Sequence, residues 1–169
     1  MTRRHMLRGA VAVLCLTLAG CKAGPEADDL KLYATDKAQT IEGHVDRIGD
    51  IEGKIVGAFG MAASTSLSQV EGDYIPALEA LSKAVAENAP ATEKVKAIHA
   101  RYAKAVELRL AAAKKLAEGL RSSQDAGRDI PDEIREAYGD AMKASDKELG
   151  LARVETKDLA KDLGVKLPE

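Results

Sequence analysis

Residues 95–120 read VKAIHARYAKAVELRLAAAKKLAEGL, and this stretch decides the fold. Val95, Ile98, Tyr102, Val106, Ala113, Leu116 and Leu120 recur at helical steps along it. That spacing puts them on one stripe of an α-helix, with lysines and glutamates on the other face. A run of about 30 such residues makes a rod ~45 Å long at 1.5 Å per residue.

The same pattern continues on both sides. Leu30, Ala34, Ala38, Ile41, Val45, Ile48, Ile55 and Phe59 form a first stripe, and Leu67, Val70, Tyr74, Leu78, Leu81 and Val85 a second. Ile134, Tyr138, Ala141, Leu149, Ala152, Leu159 and Leu163 form the last. From Pro25 onward no run alternates β-branched and polar residues as a strand would. Asn88-Ala89-Pro90 and Asp129-Ile130-Pro131 mark helix starts, Ser122 to Arg128 reads as a polar loop, and Gly164 reads as a stop. The first break falls at Gly57–Gly60 or among Ser64–Ser68, with the second helix beginning as early as Met61. Pro76 implies a kink or a second start within it. Short connections make neighbouring helices antiparallel. The expectation is an all-α, up-down four-helix bundle over residues 26–164, or three long helices plus a short one, followed by a loose tail at 165–169. The many alanines on the stripes predict a slim core.

The 169 residues suit one domain, and 31% charged with 46% hydrophobic residues excludes a disordered tail. Aromatics are 3% with no Trp, and the net charge is -2, so neither stacked bases nor a basic footprint points to nucleic acid.

Chemistry-bearing residues are sparse. His44 and His99 lack the Glu-x-x-His spacing of a di-iron bundle, since Ile41 and Lys96 stand three residues before them. A haem held by a histidine and Met61 or Met142 is the sharper alternative to histidines at the bundle edge and methionines filling gaps. No Gly-x-Ser-x-Gly elbow occurs. Asp50 with Lys54 and Glu79 with Lys83 read as helix-supporting pairs. No catalytic residue, metal ligand set or cofactor is expected. Gly49, Gly53 and Gly57, with Gly43 and Gly60 nearby, are the unusual feature. Glycine weakens a helix interior by about 1 kcal/mol relative to Ala, so the spacing needs a reason. It suits a groove for an Ala-rich helix of the same bundle, a weak helix near its end, or docking of a partner helix or second copy.

The N-terminus places the chain. A basic head, Met1 to Arg8, precedes the apolar run Gly9–Leu18 and the small residues Ala19 and Gly20. This is the layout of an export peptide, and the run is too short to span a membrane. Leu18-Ala19-Gly20-Cys21 resembles the lipobox of bacterial lipoproteins at all four positions. The resemblance implies cleavage between Gly20 and Cys21, which removes residues 1–20. It also implies acylation of Cys21 and anchorage in a lipid bilayer through a tether at residues 21–25. Two or three acyl chains anchor stably where one does not. Thr2-Arg3-Arg4-His5-Met6-Leu7-Arg8 is similar to a twin-arginine export signal, an alternative to the general route. Lys22 is not the Asp that retains such proteins at an inner membrane, which favours an outer membrane in a host with two. Loss of Arg3, Arg4 and Arg8 leaves 22 basic against 27 acidic side chains, a net charge of -5. With Cys15 in the leader and Cys21 lipidated, no disulfide is expected. The functional expectation is a non-catalytic envelope lipoprotein whose bundle contacts or braces an envelope protein or a second copy. The alternatives are a periplasmic carrier of a ligand or cofactor, or a chaperone-like bundle that binds clients.

Overall fold

The computed structural model describes residues 24–58, 63–127 and 130–167, and among these the chain forms four helices and no strand. The first helix spans residues 25–58 and the second residues 63–87; each is continuous through one π-type turn, Tyr33–Lys37 and Val70–Tyr74 respectively. The third is Glu93–Asp125 and the fourth Asp132–Leu163. Ile41 lies by Val85 and Ile55 by Gln69, Glu71 meets Arg121 and Glu79 meets Lys114, and Arg101 meets Glu155 and Arg109 meets Asp146, so successive helices run antiparallel.

Local chemistry sets the ends. Pro25 occupies the first turn after an extended Gly24, with Glu26 and Asp28 favourable at the positive end of the helix dipole. Asp132 and Glu133 do the same after Pro131. Gly164 adopts a left-handed φ of 65°, and the Val165 N–H then reaches the Ala160 carbonyl at 2.8 Å, closing the fourth helix.

Ser64–Ser68 are helical, which removes that alternative for the first break and leaves Gly57–Gly60; Phe59, Gly60 and Met61 lie outside the described residues. Two other expectations need correction. Ser122–Asp125 extend the third helix, and the connection begins only at Ala126 and Gly127, the latter at φ 61°. Ser123 is buried and continues the Leu116–Leu120 stripe, so polarity there does not signal a loop. The tail is not loose through Leu167: Val165 and Leu167 pack on Leu30, Tyr33, Val95 and Ala160 at the base of the bundle.

Pro76 does not break the second helix. Its ring would crowd the carbonyl four residues back, and the wider turn at Val70–Tyr74, with the Ile75 N–H bonded to the Val70 carbonyl, absorbs that conflict. All six apolar residues of the second stripe are buried. They form the main core with Ile41, Ile48 and Ile55 from the first helix and Val106, Ala113, Leu116 and Leu120 from the third.

The four seams differ. The third and fourth helices pack along their length, closely enough that a Cβ on Gly119 would collide with the Ile134 side chain. Ala38–Ala58 lies along the second helix, whereas the first helix approaches the fourth closely only at the base, through Pro25–Leu32.

Candidate functional site

A polar layer crosses the bundle interior and draws on all four helices. The Tyr74 hydroxyl donates to Glu52 Oε1 at 2.6 Å and accepts from the Tyr138 hydroxyl at 3.1 Å. Arg109 donates from Nη1 to Glu52 Oε1 at 2.7 Å, from Nε to Ser145 Oγ at 2.9 Å, and from Nη2 to Asp146 Oδ1 at 2.6 Å. The Ser145 hydroxyl in turn donates a hydrogen bond to the Ala105 carbonyl at 3.0 Å. The Arg109 and Glu52 side chains are 16% and 20% exposed, so this pair is largely withdrawn from solvent.

Electrostatics fix the protonation states. Burial, reinforced by Tyr138 and Glu52, pushes the Tyr74 hydroxyl far above its ordinary value, and burial raises Tyr138 too. Both stay neutral phenols at physiological pH. Burial alone would weaken the Arg109 charge, but Glu52 and Asp146 outweigh it and hold the guanidinium more firmly protonated. A buried network whose members are mutually satisfied in this way favours one packing over others.

A second cluster latches the base. The Asp29 carboxylate accepts from the N–H groups of Ala91 and Thr92 and from the Thr92 hydroxyl, at 2.7–3.1 Å. Burial would raise its pKa, yet the Thr92 and Ala91 hydrogen bonds and the nearby Lys37 charge lower it overall. Tyr33 and His99 share a hydrogen bond at 3.1 Å with rings edge to face at 5.6 Å. Burial and Lys37 push the His99 pKa down, against a raising contribution from the Val85 backbone. His99 therefore favours its neutral form and lies in the basal layer, while Met142 lies in the other layer, its Sδ 3.9 Å from the Tyr74 hydroxyl oxygen.

Two openings accompany these layers. A narrow space of about 100 Å³ opens at the first–fourth seam, lined by Ile41, Val45, Ile48, Tyr102, Leu149 and Arg153 among others. A larger apolar groove of about 330 Å³ lies on the third and fourth helices among Leu108, Ala112, Leu116, Ile134, Ala137 and Ala141. It sits toward the end of the bundle opposite Pro25. Of these two, the second reaches the lower end of the 300–1,000 Å³ typical of small-molecule sites.

Of the three readings of the glycine spacing, the structure removes one. A Cβ on Gly43, Gly49 or Gly53 would meet nothing within 4 Å, so no Ala-rich helix of this bundle fills the groove. Gly57 is helical, but its surroundings are outside the described side chains. Among the described glycines, the one that a neighbouring helix approaches closely is Gly119. Glu79 pairs across the bundle with Lys114 at 2.9 Å rather than with Lys83, which faces Glu87 at 3.8 Å. Leu18, Ala19, Gly20 and Cys21 lie outside the described residues.

The polar layer was missed in sequence, although a signal existed. Glu52, Arg109 and Ser145 each fall in phase with an apolar stripe, beside Ile48 and Ile55, Val106 and Ala113, and Tyr138 and Ala152. A polar residue at a core position needs partners there. Among the described residues, no three His, Cys, Asp or Glu side chains come together to hold a metal, and no helix is long and apolar enough to cross a membrane. Comparison with known protein families, with curated proteins and with solved structures finds no match.

Proposed function

We infer that this chain is a lipid-anchored protein of the bacterial envelope whose helical bundle contacts or braces another envelope component without catalysing a reaction. The observation that carries the reading is the four-residue match Leu18-Ala19-Gly20-Cys21, set behind a basic head and a short apolar run. Cys21 stands four residues before Pro25, where the first helix begins, leaving Lys22–Gly24 as a tether of about 10 Å. The base of the bundle, with its Asp29 and Tyr33–His99 latches, then stands near the lipid surface. The far end projects ~50 Å along the 33-residue third helix.

The apolar groove beside Ile134 lies toward that far end and is the surface best suited to a partner. The open glycine face of the first helix is a second candidate surface. Lys22 favours an outer-membrane address facing the periplasm in a host with two membranes. Crosslinked co-purification of the lipidated protein from its native envelope tests the reading. A specific partner lost on Ala137→Glu, at the groove, supports it; an identical capture profile for that variant removes the groove. The same groove supports a client-binding reading, which predicts suppression of aggregation of an unfolded model protein by the purified bundle.

A further inference from the structure

A further opening of about 270 Å³ lies between the first and second helices, and unlike the two apolar ones its walls are charged. Arg47, Asp50 and Lys54 line it from the first helix and Asp73 from the second, over buried Ile51 and Ile55. Asp50 and Lys54 stand at the spacing of a helix-supporting pair. Yet neither they nor Arg47 and Asp73 make an ion pair among the described residues. Where the second helix meets the third, opposite charges do close on one another, Glu71 with Arg121 and Glu79 with Lys114. Gln69 lines the same opening, and its Oε1 is the one buried side-chain oxygen or nitrogen among the described residues with no hydrogen-bond partner. A buried acceptor left without a donor calls for one from outside the chain. The terminal amide torsion of a glutamine is soft, so the oxygen can turn to meet it.

We propose that this opening binds a small zwitterion, an α-amino acid or a dipeptide. A lone cation would leave Arg47 and Lys54 unanswered, and a lone anion would leave Asp50 and Asp73. A molecule carrying both an ammonium and a carboxylate answers the two pairs together. The ammonium has three N–H donors, which Asp50, Asp73 and the Gln69 oxygen accept, and the carboxylate accepts from Arg47 and Lys54. Side chains three and four apart on a helix lie about 5–6 Å apart at Cβ, which suits a ligand whose opposite charges are only a few bonds from one another. The opening is several times the roughly 30 Å³ share of one water, so a single solvent molecule does not fill it. The site rests on the bundle alone and stands whether or not Cys21 carries lipid.

Isothermal titration calorimetry of the whole purified protein tests this, with glycine, L-alanine, L-glutamine and glycylglycine as probes. Acetate and methylammonium serve as single-charge controls. At least one zwitterion should bind saturably at one site, with a Kd below about 1 mM and at least tenfold tighter than either control. The order of the amino acids and glycylglycine tells a free amino acid from a peptide. Asp73→Asn and Lys54→Gln alter exposed side chains and should each weaken binding roughly tenfold while leaving the fold intact. Gln69→Leu should weaken binding too, yet raise the melting temperature of the unliganded protein by a few degrees, because the unpartnered oxygen is gone. The proposal is overturned by the absence of saturable binding for every probe, or by controls that bind as tightly as the zwitterions. A Gln69→Leu variant that melts no higher than the parent would overturn it as well.

Discussion

Asp29 on the first helix is bonded to Thr92 at the start of the third, accepting from its backbone N–H at 2.8 Å and its hydroxyl at 2.7 Å. The contact joins residues 63 apart and places a carboxylate at the positive end of a helix dipole. Asp29→Ala leaves buried donors without an acceptor, and the expected loss is about 2 kcal/mol. Urea unfolding monitored by circular dichroism measures it; a loss below ~0.5 kcal/mol would mean water replaces the carboxylate fully.

Stability should fall in two stages on acidification. His99 has a folded pKa below its ordinary 6.5, so the unfolded chain takes up the proton first. Stability declines as pH drops below 6.5, by at most about 1.4 kcal/mol per pH unit. Asp29 also has a lowered pKa, from an ordinary 3.8. Its contribution is present above that value and is lost as pH falls through the depressed folded pKa. His99→Gln should flatten the first decline and Asp29→Asn the second, in denaturant midpoints measured from pH 8 down. A wild-type slope unchanged by His99→Gln would assign the first decline elsewhere.

Two alanine substitutions should act with opposite sign. Gly53 faces open space, so Gly53→Ala should stabilise by about 0.5–1 kcal/mol through helix propensity. Gly119 abuts Ile134, so Gly119→Ala should destabilise by about 1–2 kcal/mol despite the same propensity gain. Shortening the neighbour in Gly119→Ala/Ile134→Val should recover part of the loss.

Removing Arg109 leaves the largely buried Glu52 carboxylate with the Tyr74 hydroxyl in place of a counter-charge, and removing Glu52 leaves Arg109 to Ser145 and Asp146. Arg109→Met should cost about 3 kcal/mol, and Arg109→Met/Glu52→Gln should cost at least ~1 kcal/mol less than the sum of the single changes. Additive losses in that double-mutant cycle would show that the 2.7 Å contact contributes little.

Much of the fold is legible in the apolar spacing. Leu67 through Val85 predicts a buried stripe and all six residues are buried, because core-facing positions of a helix must be apolar or paired. What period alone misses is the second half of that condition. Glu52, Arg109 and Ser145 sit on the stripes as a mutually satisfying set from different helices, and no local pattern says which polar residues will meet. The Ser122–Asp125 extension fails for the same reason, since Ser123 is polar yet buried. Glycine spacing records where a backbone could be approached, whereas Gly119, in phase with Leu116 and Leu120, marks a place where a neighbouring side chain does approach.

The central claim is that fatty chains on one sulfur tie this bundle to a membrane. Intact-mass measurement of the protein purified from its native envelope tests it most directly. The account predicts a chain beginning at Cys21 with two or three acyl groups, converted by Cys21→Ser to an unacylated form that leaves the membrane fraction. A retained leader, or a mature chain whose Cys21 thiol is free, would contradict it.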